Sequence, residues 1–387
     1  MTRMARGLVP GTATARPAAV PRGSAVAACP CDALHIDGSE QSGSGTIVRS
    51  AAVLAALTGT PIHVVNARAR RSQPGLRAQH ATAVRACAEM CGAKTEGVDV
   101  ESREFRFRPG TSVRGGERAW DIGTAGSATM LALAVLPLGL WSEEGLEARI
   151  TGGIFQDFAP SPYHLSQVLI PALARMGAEA ELVTRRPGYL PRGGGVLELR
   201  VRALRSRLRP FVGRERGGVG PVEGIALASH LAERQVSDRM ARACERRLAA
   251  AGRPGHIERV DDAQALGPGA ALAVWACNAP FGADRAGARG RSAEAIGAWV
   301  AERLVEDLAG DATVDRHLAD MLILFAALAE GESAYRVPLL TEHVHTGLWL
   351  VERFGATAAL DGRLVTIRGI APDPQSSRPA AAPGGIA

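Results

Sequence analysis

Apolar and polar positions follow one plan three times along this chain. Residues 82–100 (TAVRACAEMCGAKTEGVDV) read as an amphipathic helix that stops at Gly92-Ala93 and continues as a strand. Residues 171–183 (PALARMGAEAELV) do the same through Gly177-Ala178, and residues 348–361 (LWLVERFGATAALD) through Gly355-Ala356. Glycine suits the left-handed residue that ends a helix, so each pair predicts a helix stop. Gly92 and Gly177 lie 85 residues apart, whereas Gly177 and Gly355 lie 178 apart, an excess of 93. Three repeats of about 85 residues, with a module of about 93 inserted before the last helix, account for both intervals. An insertion of that size matches a compact small domain, which favours repetition over chance recurrence of a helix-Gly-strand unit.

The module is predicted over residues 211–308. Its start is marked by the turn-rich, charged run RSRLRPFVGRERGGVGP. A helix from Leu231 to Ala250, a strand from Ala270 to Cys277 and a helix from Ser292 to Ala309 follow. Outside it, SPYHLSQVLIPALARMG and RHLADMLILFAALAEG read as helices, and GVLELRV and RLVTIRG as strands. This alternation predicts an α/β (α+β) class, with the three-repeat body over residues 34–210 and 309–371. Residues 1–33 are rich in Ala, Pro, Arg and Gly without an apolar signal core, and predict a disordered extension. Residues 372–387 predict a flexible tail.

Composition narrows the chemistry. Of 45 basic residues, Lys94 is the only lysine, which excludes a Walker A loop and makes a lysyl-nucleotide intermediate a poor prospect. A covalent nucleotide would have to sit on another nucleophile, most plausibly one of the nine histidines. Net charge is +6, which permits an anionic partner. Cys87 and Cys91, four apart on one helical face, predict small buried thiols, and Cys29-Pro-Cys31 has the wrong spacing for a zinc knuckle. Sparse cysteines predict a reduced, cytoplasmic protein, and the chain has no apolar run of the ~18 residues a membrane span requires.

The strongest chemical signal lies between Ile36 and His80. IDGSEQSGSGTIVRS is an apolar lead-in, a Gly/Ser loop and an apolar segment carrying Arg49. ARARRSQPGLRAQH sets Arg68, Arg70, Arg71 and Arg77 around a Pro-Gly turn and closes on Gln79-His80. Open backbone amides beside planar guanidinium forks suit phosphate oxygens. The competing reading is a solvated basic loop.

These segments resemble RNA 3'-terminal phosphate cyclases. The likeness runs in order through IDGSE, RARRSQPGLRAQHATAVRA, FRPG, DIGTAGSAT, GYLPRGGG, RGRSAEAIG, HLADMLIL and HVHTGLWLVERF, from about Ile36 to Ile370. It implies three tandem βαβαββ-type repeats similar to the C-terminal domain of bacterial translation initiation factor three, with a smaller α/β module in the third. It also implies an ATP-dependent reaction on RNA 3'-phosphate ends, passing through a covalent histidine-AMP and an RNA-pp-A end to a 2',3'-cyclic phosphate. The resemblance further implies a divalent metal, Mg or Mn, beside the nucleotide. The nucleophile position falls on His343, with His345 a weaker candidate. Arg49, Arg68, Arg71 and Gln79 match positions that contact ATP and phosphate, and Asp320 matches an acidic residue near the nucleotide.

The chain is a divergent member by the same comparison. Ser42 stands where the family has a metal-supporting carboxylate, and Thr46, Leu133 and Met321 stand where it has glutamines. Gly152-Gly153-Ile154-Phe155-Gln156 replaces Gly-Gly-Thr-Asp-Asn. These changes leave open a non-catalytic RNA-binding or ribosome-assembly factor on the same scaffold; His343 discriminates for the enzyme.

Overall fold

The computed structural model describes residues 33–373. Expectations for residues 1–32, Cys29 and Cys31 included, and for residues 374–387 lie outside this range. Pro372, expected to open the flexible tail, accepts a hydrogen bond from the Trp141 indole at 3.1 Å.

Four four-stranded mixed sheets and their helices make an α/β fold. The first part runs β1 (Leu34–Asp37), α1 (Gly45–Thr58), β2 (Ile62–Val65), α2 (Ala78–Cys91), β3 (Lys94–Glu96), β4 (Phe105–Arg108). The second runs β5 (Gly116–Asp121), α3 (Ala128–Trp141), β6 (Leu146–Gly152), α4 (Pro162–His164), a π turn (Leu165–Leu169), α5 (Ile170–Arg175), β7 (Ala180–Arg186), β8 (Gly195–Val201). Then come β9 (Val212–Gly213), β10 (Val222–Ser229), α6 (Val236–Ala250), β11 (Gly255–Asp262), β12 (Gly269–Ala276), β13 (Gly282–Ala286) and α7 (Ala293–Leu308). The chain ends with α8 (Leu318–Leu328), β14 (Glu332–Arg336), α9 (Glu342–Arg353), β15 (Thr357–Asp361) and β16 (Leu364–Arg368).

Three sheets have the orders β1-β2-β4-β3, β5-β6-β8-β7 and β9-β14-β16-β15. In each the first pair is parallel and the other two pairs are antiparallel. The fourth sheet, β11-β10-β12-β13, lies between β9 and β14 in the chain. Val212 and Gly213, expected inside the inserted module, instead pair with Ala334 and Tyr335 of the third sheet. One face of the fourth sheet packs with α6 and α7 around Met240, Ile257, Leu272, Phe281 and Val300; Leu227, Ala271 and Ala286 join the main core.

Local signals explain the helix ends. Gly92, Gly177 and Gly355 have φ of 64°, 95° and 96°, the left-handed geometry in which a side chain is strained. Ser44, Ser127 and Thr341 cap α1, α3 and α9 through hydroxyls that accept from Thr46, Met130 and Val344 amides. Helix α3 is apolar on nearly every side and is buried accordingly. Strand β4 alternates cleanly, with Phe105 and Phe107 inward and Arg106 and Arg108 outward.

Candidate active site

Four helices and one arginine-rich turn bring the predicted residues together. The Gly/Ser loop after β1 is fastened to α9: the Ser42 amide donates to Thr346 Oγ1 at 3.1 Å, and that hydroxyl donates to the Glu342 carbonyl at 2.6 Å. Ser42 Oγ donates to Ser44 Oγ at 2.9 Å, so the residue standing for a carboxylate is buried and engaged in the loop itself. Arg353 reaches Glu40 at 3.5 Å from the far end of α9. These ties set His343, in the first turn of α9, against the first turn of α1. Its Nδ1 lies 3.4 Å from Thr46 Oγ1. His345 is exposed.

Arg49 lies one turn into α1, with a guanidinium nitrogen 3.3 Å from the Gly45 carbonyl. Burial lowers Arg49 to about 10, and the attraction of Asp320 on α8 opposes that shift. Burial raises the Asp320 carboxyl, while His343 and His317 pull it back toward ionisation. Asp320 therefore interacts with Arg49 and with the two imidazoles.

The arginine turn is built from its own backbone. Arg68, at φ 57°, donates to the Gln73 and Gly75 carbonyls at 2.8 and 2.7 Å, closing the loop over Pro74-Gly75. Burial lowers the Arg68 guanidinium, and Arg71 and Arg77 lower it further. Arg71 is exposed. Arg70 lies across the glycine loop: a Cβ on Gly43 would fall 2.6 Å from its Cγ.

His80 caps α2 internally. Its Nδ1 accepts the Arg77 amide at 3.2 Å, and burial followed by Arg49, Arg68, Arg77 and Arg71 drives it down to about 2. It is a neutral packing group among cations. A Cβ on Gly45 would meet His80 Nε2 at 2.2 Å, so glycine alone lets α1 start here. Gly45→Ala should destabilise the fold by about 1–3 kcal/mol in urea titrations, the usual penalty of overpacking. An unchanged midpoint would show that the imidazole yields freely.

The Gln79 side-chain carbonyl accepts the Ser127 amide at 2.6 Å, tying α2 to the N-terminus of α3. Leu133 and Met321 are partly buried and pack on the main core. Sequence reasoning missed Asp315 and His164. Asp315 accepts from the His317 and Leu318 amides at 2.8 Å, orienting α8, and faces His164 Nε2 at 3.0 Å in the interior. The signal was present as an Asp just ahead of an apolar helix.

Among the described residues no group of three or more His, Cys, Asp or Glu is placed to hold a metal. A separate groove of about 750 Å³ lies along Glu144, Glu147, Glu181, Arg200 and Arg202. Its charges pair across the sheet, as in Arg200–Glu181 at 3.6 Å and Arg202–Glu179 at 3.4 Å, and it contains none of the candidate residues. No helix of the described residues is long and apolar enough to cross a membrane.

Fold and site together define an α/β protein whose histidine, carboxylate and converging arginines suit phosphate chemistry. The family signature described as RNA 3'-terminal phosphate cyclase matches residues 40–359. Proteins named RNA 3'-terminal phosphate cyclase are similar over most of their length. That of Hyperthermus butylicus is 41% identical over 325 residues, covering 82% of this chain and 90% of its own. That of Pyrococcus furiosus is 37% identical over 321 residues, covering 82% and 92%. The enolpyruvyl transferase NikO from Streptomyces tendae overlaps 87% of this chain and 48% of its own, at 12% identity and a TM-score of 0.39, a likeness too weak to carry an argument. The chain belongs to the RNA 3'-terminal phosphate cyclase family.

Proposed function

We propose that this protein adenylylates itself at His343 with ATP and passes the AMP to the 3'-phosphate of an RNA, whose neighbouring 2'-hydroxyl then closes a 2',3'-cyclic phosphate. The observation that carries this reading is His343 Nδ1 at 3.4 Å from Thr46 Oγ1, with Asp320 in electrostatic reach of both His343 and Arg49. Imidazole nitrogen forms a bond to the α-phosphorus and pyrophosphate leaves. An RNA 3'-phosphate oxygen attacks the same phosphorus, the P–N bond breaks, and an RNA-pp-A end results. The 2'-hydroxyl, giving up its proton, attacks the 3'-phosphorus and AMP departs. Without that activation the phosphate offers only a poor leaving group, whereas imidazole is nucleophilic when neutral and leaves readily afterwards.

The chain's own residues have distinct tasks in this scheme. With Nδ1–H donating to Thr46, Nε2 carries the lone pair for attack. Asp320 favours the positive charge that develops on the imidazole. Arg49, Arg68 and Arg71 receive phosphate oxygens, and Gln79 ties α2, which follows the arginine turn, to the start of α3. Divalent metal, Mg or Mn, arrives with the ATP phosphates as part of the nucleotide substrate. We read the three like sheets as tandem repeats of a catalytic body and the fourth sheet with α6 and α7 as an inserted α/β module, in a cytoplasmic RNA-processing enzyme.

The test is an RNA bearing a 3'-phosphate incubated with ATP and magnesium or manganese. The expected product has a phosphatase-resistant cyclic end, and the matching 3'-hydroxyl RNA stays unchanged. Failure of both cyclisation and AMP labelling in folded protein would hand the lead to a non-catalytic RNA-binding factor, the reading that Ser42, Leu133 and Met321 favour. RNA affinity should also fall steeply with salt. Three arginine–phosphate contacts to a single strand imply roughly twenty-fold weaker binding between about 50 and 200 mM salt. A flat response in anisotropy titrations would remove the arginine-lined path.

A further inference from the structure

One aromatic side chain stands in conflict with ordinary folding preferences. Phe158 is 97% exposed and has φ of 66°, a conformation that bulky side chains rarely adopt. Three residues earlier Phe155 is buried, with its ring 5.7 Å from that of Tyr163 and 5.6 Å from that of Tyr189. The same loop therefore buries one phenyl ring and holds the other in water.

The backbone around Phe158 is gripped from both sides. Asp157 makes a bidentate pair with Arg291 at 3.0 and 2.9 Å, and the Ser161 amide donates to Asp284 at 2.8 Å. A disfavoured backbone conformation persists where surrounding contacts over-determine it, and such positions cluster at functional sites. The two ends of the loop bond to segments that neighbour the candidate site. Gly153 exchanges backbone hydrogen bonds with Gly126 and Ala128, flanking the Ser127 amide that Gln79 accepts. At the other end His164 meets Asp315, which orients the helix carrying Asp320. The loop thus runs between a segment tied to Gln79 and the aspartate that orients the helix of Asp320. Arg285, stacked 4.5 Å over Trp299, adds a guanidinium that interacts with both Asp157 and Arg291.

An exposed aromatic ring is a recurring platform for single-stranded nucleic acid, because a base stacks on its face. We propose that Phe158 is a stacking platform for a nucleobase at the 3' end of the RNA substrate. The inference rests on the RNA 3'-phosphate reading above. It predicts weak base preference, because every base offers a π face.

The test compares wild type with Phe158→Ala, Phe158→Gly and Phe158→Trp. Glycine suits the left-handed backbone, so that variant loses the ring without adding strain. Anisotropy titrations use a 3'-phosphate RNA and a second RNA whose last ribose carries hydrogen in place of the base. Labelling by α-labelled ATP without RNA reads the nucleotide step alone. The alanine and glycine variants should bind normal RNA about ten-fold more weakly and label at the wild-type rate, while tryptophan restores binding. The baseless RNA should bind all four proteins equally.

Unchanged affinity for normal RNA in the alanine and glycine variants would overturn the proposal. So would a slowed labelling step, which would assign the ring to the adenine of ATP. An equal loss with the baseless RNA would make Phe158 a loop-shaping residue and overturn it as well. Cyclisation by wild type is scored separately, so failure of the proposed activity is distinguishable from failure of the stacking platform.

Discussion

His343→Ala should abolish covalent labelling of the protein by ATP carrying a labelled α-phosphate, and His345→Ala should leave it intact. Removing the nucleophile of a covalent step removes the intermediate itself, so the expected loss is complete rather than partial. The two histidines are two positions apart on α9, which places them on different faces of the helix. His343 faces the first turn of α1 at 3.4 Å from Thr46, whereas His345 is exposed. The label should be acid-labile and hydroxylamine-sensitive, as a phosphoramidate is. Retention of label in His343→Ala with loss in His345→Ala would move the nucleophile to the outer face of α9.

Asp315→Ala should produce the largest stability loss of any single change at the site, about 3–5 kcal/mol in urea unfolding. One buried carboxylate accepts from His164, from the Gly282 amide at 2.9 Å and from the His317 and Leu318 amides. Its removal leaves an interior imidazole uncompensated and the start of α8 without its acceptor. Burial alone would lower His164, but Asp315 overrides it and the net shift is upward from 6.5. Burial alone would raise Asp315, but His164 and His317 with the Leu318 amide hold it below 3.8.

The signs give a pH window. The His164 contribution is fully present below its unfolded value of 6.5 and is lost as pH rises through its higher folded value. The Asp315 contribution is present above 3.8 and is lost as pH falls through its lower folded value. The gap between wild type and Asp315→Ala should therefore be widest between 3.8 and 6.5 and narrow at alkaline pH. A gap independent of pH would show that the pair carries no ionic contribution.

Much of the fold was legible because its signals are short-range. The three glycine stops need only local sterics, and all three adopt the left-handed conformation. The helix expected from Leu231 to Ala250 begins later, at Val236, after a 3-10 turn and a left-handed Gln235 at φ 51°. The helix expected over residues 161–177 is interrupted by a π turn next to Pro171, which has no N–H for the carbonyl four residues back. Strands β10, β11 and β13 escaped notice. Strand β11, GHIERVDD, is a charged edge strand whose pairing to β10 supplies what its composition does not.

The sequence by itself determined the α/β class, the helix stops, the exclusion of lysine chemistry and the ordered motifs of the family. Each depends on residue type or on neighbours within a turn of helix. Only the tertiary structure decided which histidine meets Thr46, because those residues are 297 positions apart and meet through packing of α1 on α9. It alone decided that His80 is a neutral packing group, that Ser42 is buried and engaged, and that Asp315 faces His164. Burial and the charges it brings together set these properties, and neither can be read from a residue's own neighbourhood in the chain.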